Sequence, residues 1–375
     1  MHRDKQPQPD VDTEISRGLD AAFDKGGVQK IDLVLGRDQI VFFSDLHKGD
    51  RDGADEFRRS ERVYNAALAH YYAAGFRLAI LGDADELWKY EPEEVLNHDP
   101  RRGYRHTIEL EAKFHREAGH YIRVVGNHDD RWRSPAAVEE YLTPIFTEVA
   151  PRCEKLVVHE AVKLVLSDED GAERGEFWLT HGNQGDALSD KFAGLSHLLL
   201  RRLWRPLQAS YFSWLSSTQP AVDWELRDQH DVAMHDWAQH RPERPILIAG
   251  HTHRPVLVNG KPAPDRTYEV VLADLESRPD ADPERPALEW ELAETLRDDH
   301  TSTHFDHPCY FNTGCGCLGD GDITAIEMTA GENPELVLVR WSSPLERREL
   351  DKAPLHDVLD RVAGRTQRPT ASIAV

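Results

Sequence analysis

Five short motifs in this chain bring carboxylates, imidazoles and an amide together at spacings that suit metal ions. They are Asp45-Leu46-His47, Gly82-Asp83 with Glu86, Gly126-Asn127-His128-Asp129, Thr180-His181-Gly182 and Gly250-His251-Thr252-His253. An Asp and a His two residues apart at the end of a strand point to the same side, so Asp45 and His47 can grip one ion together. His251 and His253 repeat that offset, and their imidazoles can serve one ion or one each of a neighbouring pair. Asp83 offers two oxygens for bridging, Asn127 a neutral amide oxygen and His181 a further imidazole. Nitrogen and oxygen donors without thiolate favour manganese first, with iron, zinc or magnesium as alternatives, over a structural cysteine-bound zinc. The set is also less oxygen-rich than a calcium site. Two divalent ions about 3.5–4 Å apart can hold a bridging hydroxide and clamp phosphoryl oxygens for in-line displacement, with the pKa of water brought from about 15.7 to about 7. His128 is then placed to protonate the leaving alkoxide. Glu86 can hold its other ring nitrogen and favour the imidazolium.

These side chains need elements that converge. Each motif closes a short apolar run: Gln39–Phe43, Leu78–Leu81, Tyr121–Val125, Glu176–Leu179 and Ile246–Ala249. Such runs, ended by glycine and polar residues, read as buried strands. Open α/β sheets carry their ligands beyond the carboxyl ends of the strands, where these motifs fall. Between the first two runs, Phe57, Val63, Tyr64, Ala67, Leu68 and Tyr71 recur at helical spacing over Ala54–Ala74, a βαβ pattern. After the chain returns with Tyr310 to Gly314, later strands are expected at Ile323–Met328 and Leu336–Trp341. Taken singly, Asp-x-His, Gly-Asp or one histidine is more often a turn or a cap. Five in this order, each at a strand end, point to one metal centre.

One domain is expected over 28–349, preceded by a loose polar arm (1–27) and followed by a tail (350–375) with a short helix and then disorder. Two segments interrupt it. Residues 187–239 read as helical, with Phe192, Trp204, Tyr211 and Trp214 interleaved with Lys191, Arg201, Arg202 and Arg205. That stretch fits a hairpin packed on the body, a lid over the substrate, or weak membrane or lipid contact through 191–214. Asp186 and Asp190 are expected to cap its helix rather than to touch metal-bound water. The second segment, 259–308, is acidic and proline-rich, with a strand-like piece at Tyr268–Leu272. His230, His235 and His240 are expected at the surface. Cys309, Cys315 and Cys317 read as small buried thiols in a glycine turn, although His304 and His307 nearby also fit a further ion.

Among the 375 residues, 45 Lys and Arg stand against 67 Asp and Glu, a net charge of −22. Duplex nucleic acid binding draws on Lys and Arg at phosphates, so that partner is disfavoured. A small phosphorylated substrate remains compatible, because bound cations dominate the local field. Four cysteines form no disulfide framework, and no stretch reaches a membrane span, so a cytoplasmic protein is expected. The oligomeric state is left open.

From Asp45 through Gly314 the chain resembles the calcineurin-like metallophosphoesterase superfamily. The resemblance implies an α/β fold, a four-layer α/β/β/α sandwich with a helical insertion. It implies Asp45, His47, Asp83 and His253 on the first metal, and Asp83, Asn127, His181 and His251 on the second. By the same likeness His128 acts as acid at the phosphate, with Glu86 where the family more often has Asp. Substrate contacts would come from Asn127, His128 and Arg254. Asn312-Thr313-Gly314 matches a turn the family often carries. Within the superfamily, Ser44–His47, Gly82–Trp88 and Gly250–Pro255 are similar to the bacterial UDP-diacylglucosamine pyrophosphatases. Those usually have Arg where this chain has His128. The expected function is metal-dependent hydrolysis of a phosphomonoester, phosphodiester or nucleotide diphosphate. The alternatives are a nuclease of the double-strand-break repair type and a non-catalytic metal-binding scaffold.

Overall fold

The computed structural model describes residues 11–24, 26–185, 224–257, 275 and 307–365. In chain order the strands are β1 (Gln29–Val34), β2 (Ile40–Phe43), β3 (Arg77–Leu81), β4 (Tyr121–Val124), β5 (Val158–His159) and β6 (Ala161–Ser167). They continue with β7 (Glu173–Thr180), β8 (Ile246–Ala249), β9 (Tyr310–Asn312), β10 (Ile323–Met328), β11 (Glu335–Ser342) and β12 (Glu346–Pro354). The longer helices are α1 (Val11–Phe23), α2 (Glu61–Ala73), α3 (Arg105–Ala112), α4 (Thr143–Val149), α5 (Trp224–His240) and α6 (Leu355–Val362).

The strands form two mixed sheets, one ordered β12-β11-β10-β2-β3-β4-β5 and the other β1-β6-β7-β8-β9. In the first, β2, β3 and β4 run parallel, with Phe43 opposite Ile80 and Leu81 opposite Val124. In the second, β7, β8 and β9 run parallel, with Leu179 opposite Ile248 and Ala249 opposite Asn312. Parallel strands covered on both faces need apolar residues at every position, which is why β2 and β8 read Ile-Val-Phe-Phe and Ile-Leu-Ile-Ala, fully buried.

The side-chain alternation of the strands divides the interior in two. Ile40, Phe42, Ala79, Leu81, Ile122 and Val124 enter one core, together with β6 to β9. Val41, Phe43, Leu78 and Ile80 enter the other, against Tyr64, Leu68 and Tyr71 of α2 and Ile108 of α3. Phe42 meets Phe177 edge-on at 6.2 Å, which joins the two sheets face to face. The neighbouring Trp178 turns the other way, stacking on Phe23 of α1 at 4.8 Å and lying 5.8 Å from Trp237 of α5.

Several boundaries differ from the sequence expectation. Within the arm expected over 1–27, residues 11–23 are the helix α1, with Ile15, Leu19, Ala22 and Phe23 buried. One apolar stripe suffices for a surface helix, so a polar composition concealed it. The tail expected from 350 begins inside β12, and α6 buries Leu355, Val358, Leu359 and Val362. Glu-rich and Arg-rich, β12 sits at a sheet edge and lacks a period-two apolar signal. α5 starts within the segment assigned to the insertion, yet Ala233, Met234, Trp237 and Ala238 belong to the core. The helix 54–74 is shorter than expected, a 3-10 turn at Phe57–Arg59 preceding α2. The hairpin, lid and membrane readings of 187–223, the capping roles of Asp186 and Asp190, the strand at Tyr268–Leu272 and any role of His304 lie outside the described residues. Among the described residues no helix is long and apolar enough to cross a membrane.

Candidate metal centre

The ends of β2, β3, β4, β7 and β8 meet at one place, and their loops are bonded to each other. Asp45 donates its backbone N–H to Gly82 O at 3.2 Å, His47 to Asp83 O at 2.8 Å and Leu87 to His128 O at 3.0 Å. Gly250 N–H reaches His181 O at 2.8 Å. At these turns the backbone adopts a left-handed conformation: Asp45 (φ 52°), His47 (51°), Asp83 (48°), His251 (71°) and His253 (59°). Among the described residues only eight non-glycine positions do so, and these five are all candidate ligands. Each such residue costs on the order of 1–3 kcal/mol, a cost that concentrates where side chains must be aimed rather than merely packed.

The structure brings all seven candidate ligands into one buried cluster. His181 Nε2 lies 3.1 Å from Asp83 Oδ2 and 3.2 Å from Asn127 Oδ1. Its Nδ1 lies 2.8 Å from Leu81 O and donates its N–H there, which leaves Nε2 as the nitrogen that faces those oxygens. His253 Nε2 lies 3.2 Å from Asp45 Oδ1. His47 Nε2 lies 3.9 Å from Asp45 Oδ1 and 3.8 Å from Asp83 Oδ2. His251 donates its backbone N–H to Asp45 Oδ2 at 3.0 Å, and its ring sits 5.1 Å from that of His181. Asp83 is shared: its oxygens fall within 4.8 Å of ligand atoms of Asp45 and His181 on one side and of His47 and His128 on the other. At Gly126 a Cβ would lie 2.0 Å from Asp83 Oδ1, so only glycine lets this loop approach the shared carboxylate.

The test of fit is polar satisfaction. Asp45 Oδ1 and both ring nitrogens of His47 are buried without a hydrogen bond. An orphaned buried polar atom costs about 1–3 kcal/mol, and here the orphans are all metal-donor types facing one another. The donor set fits a pair of divalent cations.

Electrostatics agrees with a cage built for positive charge. Burial alone would raise the Asp83 carboxyl, but the His181, His128 and His47 imidazoles hold it well below the usual range. Burial likewise opposes the low position of Asp45, which His253 and His181 enforce. Burial disfavours charge on His47, yet Glu86 and Asp83 raise it to about 9. His181 is carried to about 9 against its burial by Asp83 and Asp45. Without cations, protons on the imidazoles balance the carboxylates.

Beside the cage, His128 Nδ1 lies 3.1 Å and 3.0 Å from the two oxygens of Glu86. Its ring stacks on Trp88 at 4.0 Å, and its backbone N–H donates to Asp83 Oδ1 at 2.8 Å. Burial works against the Glu86 charge, but His128 and Lys89 keep its carboxyl well below the usual range.

Supports beneath the loops were not legible as functional. Asp129 accepts from Gly126 N–H at 2.6 Å and Ala84 N–H at 3.1 Å, tying two ligand loops together. Arg123, fully buried, pairs with Asp129 at 3.4 Å and with Asp85, and Lys48 pairs with Glu111 at 2.7 Å. Under the His251–His253 turn, Asp231 of α5 accepts from Thr252 Oγ1 at 3.0 Å and Tyr310 OH at 2.7 Å. Arg254, expected at the substrate, is buried and pairs with Asp231 at 3.4 Å, beneath that turn. His230 and His235 are corrections to the surface assignment: His230 Nε2 lies 2.7 Å from Gly182 O with its ring 5.2 Å from His251, and His235 is buried against His307 O at 3.1 Å. Both occupy the packed face of α5, where a spacing of five residues still reaches the body; His240 is exposed.

The sequence matches no family model and no curated protein. The geometry therefore carries the functional reading.

Proposed function

We propose that the chain is a dinuclear metal-dependent phosphoesterase of the calcineurin-like metallophosphoesterase kind. Its substrate would be a small phosphomonoester, phosphodiester or nucleotide diphosphate. The observation that carries this reading is the buried cluster of candidate ligands, five of them on left-handed residues, in which Asp45 Oδ1 and both ring nitrogens of His47 lack a hydrogen bond. Support also comes from the packing order, with α2 and α3 on the outer face of one sheet, the two sheets face to face, and α1 and α5 on the far side. That order fits a four-layer α/β/β/α sandwich.

Asp45, His47, Asp83 and His253 would hold one cation, and Asp83, Asn127, His181 and His251 the second. The cations supply Lewis acidity and a water acidic enough to serve as nucleophile at neutral pH. Asp83 would serve both subsites. His128, with Nδ1 taken by Glu86, has Nε2 left to give a proton to the leaving alkoxide as its bond to phosphorus breaks. Glu86 holds the His128 ring in place, and Trp88 restricts its plane.

The test is hydrolysis of p-nitrophenyl phosphate, its bis ester and an alkyl phosphate by manganese-loaded protein, with metal content measured on the same sample. Asp83→Ala is expected to lose both metal and turnover. His128→Ala is expected to keep metal and lose about 10²–10⁴-fold in kcat on the alkyl ester. Full activity in Asp83→Ala would overturn the reading.

A further inference from the structure

Two thiols stand against the cage and have no part in the reading above. Cys315 and Cys317 are buried, with their sulfurs 3.6 Å apart. Ring nitrogens of His47 and His253 and the Cys317 sulfur all lie within 4.8 Å of one another. Cys315 plays a different part. Its sulfur lies 3.1 Å from His253 Nδ1 and accepts the Cys317 backbone N–H at 3.4 Å. It therefore orients the imidazole from behind while His253 Nε2 faces Asp45.

The segment carrying both thiols is pressed onto the first ligand loop. Gly316 donates its N–H to Asp45 O at 3.1 Å. A Cβ at Gly316 would lie 2.4 Å from Leu46 Cδ2 and 2.9 Å from Ser44 O, so only glycine permits this approach. Thr313 Oγ1 closes the same contact, 2.6 Å from Ser44 Oγ. A turn built to fill space would not require a thiol on the side facing two imidazoles.

We propose that Cys317 is a thiolate ligand of the first cation, joining Asp45, His47, Asp83 and His253. On binding, the thiol proton passes to solvent and sulfur forms the bond to the metal. A sulfur donor makes this subsite softer than its neighbour and directs it toward zinc, iron or cobalt rather than manganese or magnesium. The two subsites then differ in chemistry, with thiolate on one and the Asn127 amide oxygen on the other. This inference rests on the dinuclear reading.

The experiment uses the full chain, stripped of metal and reloaded with cobalt(II), followed by near-ultraviolet absorption and metal analysis. Wild type and Cys315→Ser are expected to show thiolate-to-cobalt charge-transfer absorption. Cys317→Ser is expected to lose that absorption while still binding cobalt, and to lose preference for zinc over manganese in competition. Cobalt bound by wild type without the absorption, or absorption that survives in Cys317→Ser, overturns the assignment and leaves the dinuclear reading intact. Wild type that takes up no divalent ion overturns both.

Discussion

On the proposed reading, His128 depends on its neighbours for everything a general acid needs. Glu86 holds Nδ1, Trp88 holds the ring plane and Asp83 accepts the backbone N–H. Glu86 also lies 3.6 Å from His47 Nδ1, so one carboxylate serves both the acid and a candidate ligand. The two duties separate by leaving group. Glu86→Gln keeps an acceptor for Nδ1–H but removes the negative charge beside the ring. It should lower kcat on an alkyl phosphate by part of the roughly 10²–10⁴-fold contribution of a positioned acid. Hydrolysis of p-nitrophenyl phosphate, whose anion leaves without a proton, should stay near wild type. Equal losses on both esters would place the effect in the metal cage through His47. At this scale the motifs were readable because ligand chemistry restricts residue type: Asp, His and Asn at fixed offsets have few other reasons to coincide. Asp231 and Arg123 were not readable, since a buried ion pair looks the same in sequence whether or not a site lies above it.

At the scale of elements, α1 shows how composition misleads. Its buried stripe of Ile15, Leu19, Ala22 and Phe23 covers Trp178 and Trp237, and Asp20 accepts from Trp237 Nε1 at 2.9 Å. Phe23→Ala is expected to cost about 3–5 kcal/mol in urea unfolding, as large aromatic-to-alanine changes in cores do. A loose arm would give no change. The strands β2 and β8, and β3 from Leu78, were legible because burial on both faces demands continuous apolar runs. β1 and β12 were not, because each lies at the edge of its sheet with half-exposed charged residues. Their pairing is decided by the neighbouring strand rather than by their own pattern.

For the whole molecule, the loops converge carboxylates in a dry place, and folding without cations must leave protons there. His47 and His181 stand at about 9 against an ordinary 6.5. The folded chain thus binds protons that the unfolded chain releases above pH 6.5, so the stability these groups contribute is complete below that pH and lost as pH rises through 9. Divalent ions require the neutral imidazoles, so their affinity grows over the same window. The gap in Tm between metal-loaded and chelated protein, measured by calorimetry, should therefore widen from pH 6.5 to 9. A constant gap would show that no proton leaves these rings on binding. The global charge of −22 adds to the same attraction for cations.

By itself the sequence determined which residue types end each buried strand, and hence a nitrogen- and oxygen-rich donor set. Apolar runs and ligand motifs are local properties, written within a few consecutive residues. Only the tertiary structure decided that Asp83 is shared, that Glu86 faces His128, and that the Cys315–Cys317 turn closes on Asp45 from 270 residues away. Those relations depend on which strands pair and which loops approach within a glycine's width. Register and close packing between distant segments are set by the whole fold, not by neighbours in the chain.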